Sequence, residues 1–128
     1  MKKMLLALAL AGPLSTTALV IGTATVKSSI DARLIAKVVH LSVPAIRSCY
    51  HKQLLVEPTL RGELTVHFTI TNKGVVGLAM IDGPGLSPVV DSCITALFVK
   101  LRFPEIKEAS DKVEVYFPFS FEPPQEQP

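Results

Sequence analysis

The chain has no tryptophan, two tyrosines and two cysteines, and it lacks the short motifs that usually announce chemistry. It has no Gly-x-Ser-x-Gly elbow to expose a nucleophilic serine and no glycine loop to cradle a phosphate. Its carboxylates are scattered over polar faces and loops rather than converging with a base and a nucleophile, so the reading is a non-enzyme without a cofactor. A metal would have to be held by Cys49 with His40, His51 or His67, and none of these sets has the close spacing that preorganises zinc ligands. The reading is no metal, with the histidines as solvated surface residues.

Charge of one sign is also missing. Of 13 basic residues, Lys2 and Lys3 supply the whole formal excess of +2 over the 11 acidic ones. A generic nucleic-acid or anionic-membrane binder needs a larger basic surplus, because phosphate neutralisation dominates such affinity, and both classes are set aside. About a hundred residues outside the N-terminal run suffice for one small domain and leave no room for a second.

The long charge-free run lies at the start. Met1-Lys2-Lys3 is followed by Met4 to Val26 without a charged residue, the order of a secretory signal. Small-residue cleavage sites are offered at Thr16-Thr17-Ala18 and Gly22-Thr23-Ala24. A run of this length also meets the roughly 20 residues needed to span a bilayer, so residues 1–26 read as a signal peptide or an uncleaved signal anchor. On both readings residues from 27 onward fold outside the cytoplasm, in the periplasm, and the inner membrane is a partner only if the leader stays.

The periodic segments follow in order. Ser29 is placed as an N-cap with Asp31 near the helix start, and Ile30, Leu34, Val38 and Leu41 recur at helical spacing. Pro44 forces a kink or a restart with Ser42 as cap, after which Ile46, Cys49, Tyr50 and Leu54 form an apolar face opposite Arg47, Ser48, His51 and Lys52. The period then changes to two: Leu64, Val66, Phe68 and Ile70 alternate with Glu63, Thr65, His67 and Thr69. "TNKG" at 71–74 turns this strand into a second, in which Gly77 marks a bulge or a close contact. Ser87-Pro88 opens a second helix with Val90, Cys93, Ile94, Leu97 and Leu101 on one face, Lys100 and Arg102 at its negative end, and Pro104 as its stop. "KVEVYFPFSF" at 112–121 is a third strand, and its Pro118 argues for a sheet edge. Residues 122–128 read as an unstructured proline-rich tail.

The fold class expected from this order is α+β, αββαβ: a three-stranded antiparallel or mixed sheet in the order 2-1-3, with both helices on one face. The second and third strands are then the edges.

"IRSCYHKQL", "PTLRGELTVHFTITNKGVV", "VVDSCITALFVKLRFPE" and "VEVYFPFSF" together resemble the TonB C-terminal-like domains of the AgmX/PglI type, known from envelope and gliding-motility proteins of delta-proteobacteria. The resemblance covers about residues 30 to 121 and implies a periplasmic adaptor that grips an extended segment of another envelope protein, in energy transduction, transport or motility. The proline-rich spacer of TonB and the histidine of its anchor are absent, so the resemblance implies a short accessory or stand-alone domain rather than a motor-linked bridge. It favours the third strand as the binding edge, with Lys112, Glu114 and Tyr116 on its outward hydrogen-bonding side.

Cys49 and Cys93 read as a structural disulfide, because the expected compartment is oxidising, the count is even and both face inward on helices over one sheet face. Two unpaired buried thiols and a redox pair are the competing readings. Tyr50 reads as a core-edge residue with its hydroxyl at the surface, where a partner could touch it. Strand addition to a partner is one functional reading. A structural, self-associating envelope domain that dimerises through the same edge is the second, and a thiol redox protein is the third.

Overall fold

The computed structural model describes residues 18–23, 25–26, 32–105 and 112–124. They form an α+β arrangement of three helices and one antiparallel sheet. In chain order the elements are β1 (Ala18–Ile21), β2 (Thr25–Val26), α1 (Ala32–Leu41), α2 (Val43–Leu54), β3 (Gly62–Thr71), β4 (Val76–Asp82), α3 (Pro88–Phe98) and β5 (Lys112–Glu122). The sheet runs β1-β5-β3-β4, and β2 also pairs with β5. The order 2-1-3 expected for the three main strands is therefore present as β4-β3-β5. The sheet is one strand wider than expected, because residues 18–21 and 25–26 of the apolar N-terminal run lie in it.

Alternation builds the core. Leu64, Val66, Phe68 and Ile70 on β3 and Val113, Val115, Phe117, Phe119 and Phe121 on β5 are all buried, and register pairs such as Val66 with Phe117 and Phe68 with Val115 put them on one face. The Phe68 ring meets Phe98 at 5.1 Å and Phe103 at 5.9 Å, so the helix and the segment after it close over the middle of the sheet. The turn between β3 and β4 uses Gly74 at φ +83°, and a side chain there would run into the Phe103 carbonyl, whose own amide donates to the Gly74 carbonyl at 2.9 Å. Gly77 is the bulge residue: Thr69 faces Leu78 while Ile70 faces Val76, leaving it unmatched.

The helix starts follow local chemistry. Ser87 accepts from the Val90 amide at 3.2 Å with Pro88 in the first turn. Asp91 adds a second anchor by accepting from the Leu86 amide at 3.0 Å. Pro44 produces a restart rather than a kinked continuation: α1 ends at Leu41 and α2 begins at Val43, without a side-chain cap bond from Ser42.

Several expectations need correction. On α1 the buried stripe is Ile35 and Val39, while Leu34 and Leu41 are exposed. The segment carries two adjacent apolar stripes, and packing into the core cluster selects the one through Ile35 and Val39. Ser29, Ile30 and Asp31 lie outside the described residues. α3 ends at Phe98, so Lys100 and Arg102 lie beyond it; Arg102 instead bridges Val75 beside β4. Tyr50 is fully buried, its ring 5.0 Å from Phe121 and its hydroxyl donating to the Leu60 carbonyl, so it offers no surface contact.

Candidate functional site

β5 is flanked on both sides. One flank is the continuous ladder with β3, from Gly62 opposite Phe121 to Thr71 opposite Lys112. The other is held by the N-terminal run, with Leu19 opposite Phe121, Val20 opposite Ser120, Ile21 opposite Phe119, and then Thr25 opposite Tyr116 and Val26 opposite Val115. Pro118 thus sits inside the sheet rather than at its rim. Its backbone direction explains why this is tolerated: the Pro118 carbonyl accepts from the Gly22 amide at 2.9 Å, so the missing N–H faces the short N-terminal strands and costs the long β3 ladder nothing.

By the same alternation the peptide groups of Tyr116 and Ser120 also face the N-terminal strands. Tyr116, expected on an open edge, is paired with Thr25. Lys112 and Glu114 extend past the last pairing of β2, and among the described residues no strand lies on their outward side. The second sheet border is β4, where Leu78 and Met80 are exposed.

The helix-free face over β5 carries a compact polar cluster. The His67 imidazole stacks on the Tyr116 ring at 4.2 Å and 2°, and Glu114 Oε1 stands 3.2 Å from His67 Nε2 and accepts from the Tyr116 hydroxyl at 3.4 Å. Cross-strand register creates this: His67 is directly opposite Tyr116, and Glu114 is one same-face position along β5. The alternation shows these residues on the outward face, but their convergence needs the register. The cluster brings one carboxylate and two hydrogen-bonding rings together on the helix-free face.

Cys49 and Cys93 form a disulfide, with Sγ atoms 2.05 Å and Cα atoms 5.8 Å apart. It joins α2 to α3 on the helical face, away from β5's outward flank. His40 and His51 are exposed helix residues and His67 lies on the opposite side of the sheet; among the described residues no group of three His, Cys, Asp or Glu side chains could hold a metal ion. An apolar groove of about 490 Å³ lies between the end of α2 and Pro123-Pro124, lined also by His51 and Lys52. Among the described residues no helix is long and apolar enough to cross a membrane.

Sequence reasoning reads residues 18–26 as leader and so misses them as β5's neighbour. The signal available was Leu19-Val20-Ile21, an apolar stretch able to extend, followed by a glycine. No protein-family model, no curated protein and no solved structure matches the chain.

Proposed function

We propose that the chain is a non-enzymatic interaction module of the exported cell envelope, TonB-like in mode, which receives an extended segment of a partner protein by strand addition to the outward side of β5. One observation carries the reading: β5 already holds an extended antiparallel segment there, and that segment is the chain's own N-terminal run. A strand edge satisfies its exposed N–H and C=O groups with any segment that can extend beside it, so the partner is selected by backbone first and by side chains second. The disulfide suits an oxidising compartment, and the charged-then-apolar start suits export.

The test is a photoreactive residue at position 112 in intact cells, next to the part of β5 that β2 leaves uncovered. The expected result is a crosslink to an envelope protein, mapped to one short segment of it. Tyr116→Pro deletes a backbone donor on the outward side of β5 and should abolish the crosslink while the disulfide and the circular dichroism spectrum are kept. A crosslink that persists in the folded Tyr116→Pro chain moves the site off β5. A crosslink only to a second copy of the chain supports the self-associating domain instead.

A further inference from the structure

The N-terminal strand shows which side chains the β5 edge accepts, position by position. Leu19 stands opposite Phe121 and Ile21 opposite Phe119, and both pack against the core as partly buried side chains. Val20, between them, points the other way and is 62% exposed. Gly22 comes next, where its amide donates to the Pro118 carbonyl. A Cβ at Gly22 would lie 2.5 Å from Pro118 Cγ, closer than a side chain and a closed proline ring can approach. Gly22 is outside the left-handed region, so what it supplies here is the missing side chain.

We infer that β5 selects partner segments with the pattern apolar, any residue, apolar, glycine, running antiparallel to it, and that residues 19–22 are a tethered copy of that pattern. This rests on the strand-addition reading above and specifies the partner within it. The two apolar positions are set by the core face of β5: the side chains opposite Phe121 and Phe119 turn to the same face as those buried rings and pack against the core. The free position is set by the solvent on the helix-free face. The glycine is set by Pro118, which removes one backbone bond from the edge and also occupies the space a side chain would need. Because the chain carries the pattern itself, a partner competes with a neighbour held at high effective concentration and gains access when that neighbour is withdrawn.

The experiment uses the full chain with Val20→Pro, which deletes the amide directed at Ser120 from an exposed position and so releases the tethered copy. The probe is a fluorescent synthetic peptide of residues 17–27, read by anisotropy. The unaltered peptide should bind. Its Gly22→Val version should bind at least about tenfold more weakly, the scale of an overpacking penalty, and its Val20→Lys version within about threefold of the unaltered one, as an exposed substitution. Equal binding of the Gly22→Val peptide overturns the pattern and leaves strand addition standing. Absence of binding by every peptide to a folded Val20→Pro chain overturns both. If Val20→Pro does not fold, amide exchange in the otherwise unaltered full chain decides: Gly22→Val should speed exchange at Ser120 by about tenfold or more while Val20→Lys leaves it unchanged, and equal rates in the two variants overturn the pattern.

Discussion

Cys49 on α2 and Cys93 on α3 are joined by a disulfide that spans 44 residues of sequence and closes a loop containing the entire β3–β4 hairpin. Cross-linking over that span constrains the unfolded chain by about 4 kcal/mol in the chain-entropy model, a large share of the stability of a domain this small. The double variant Cys49→Ala/Cys93→Ala should lose about that much in urea titration. A loss under about 1 kcal/mol would mean that the bridge does little to limit the unfolded ensemble.

Phe68 and Thr65 lie on opposite faces of β3. Phe68 is completely buried between Phe98 and Phe103, whereas Thr65 faces Pro118 on the helix-free side. Phe68→Ala should cost about 3 to 5 kcal/mol as a buried aromatic truncation, and Thr65→Ala no more than about 0.5 kcal/mol. Similar losses in denaturant titration would contradict the register.

Tyr50 gives the fold an alkaline limit. Burial raises its pKa above the ordinary value of 10.0; the nearby Arg61 charge works in the opposite direction and Glu122 adds to the rise. A folded-state pKa raised above the unfolded one means that the native state holds the proton more tightly. The stabilisation from the neutral phenol is therefore complete below about pH 10 and is lost as pH climbs through the folded value. Tyr50→Phe should cost about 0.5 to 1.5 kcal/mol at neutral pH by removing the bond to the Leu60 carbonyl, and it should flatten the fall in stability above pH 10. A variant whose alkaline fall matches the original would assign that fall to another group.

The hairpin is legible in the sequence because alternation from Leu64 to Ile70, the glycine turn and the Gly77 interruption each point to the same local structure. Ser87-Pro88 is legible for the same reason, and the cysteine pairing follows once both residues are placed on inward faces. The stripe of α1 is not legible, since Leu34-Ile35 and Val38-Val39 offer two faces and only the packing against the rest of the fold selects one. Phe98 and Phe103 escape because a helical stripe drawn through Cys93 and Leu97 passes beside them. Tyr50 escapes because a phenol suits a core edge as well as a buried site with a carbonyl in reach. The placement of β5 is obscured by a rule that holds locally: proline does avoid strand interiors that need its N–H, but at Pro118 the donor would have pointed at Gly22, and the opposing strand manages without it. The charge-free run then hides its own strands, because the composition that suits export also suits an extended segment over phenylalanines.

Removal of residues 1–26 separates these two roles of the run. Every buried hydrophobic side chain among the described residues lies between Ile35 and Phe121, and Leu19 and Ile21 pack against that core only as partly buried side chains. A chain beginning at residue 27 should therefore fold with its disulfide formed, at a loss of roughly 1 to 3 kcal/mol, the scale of a few backbone hydrogen bonds and two half-covered apolar side chains. It should also expose the outward side of β5 as an unpaired strand edge, and an edge of that kind associates. Sedimentation velocity should show concentration-dependent association of the shortened chain, suppressed by the peptide of residues 17–27 added in trans. Failure to fold would make the N-terminal strands part of the core rather than its cover. Unchanged stability together with a monomer at all concentrations would show that they do not cover β5 in solution.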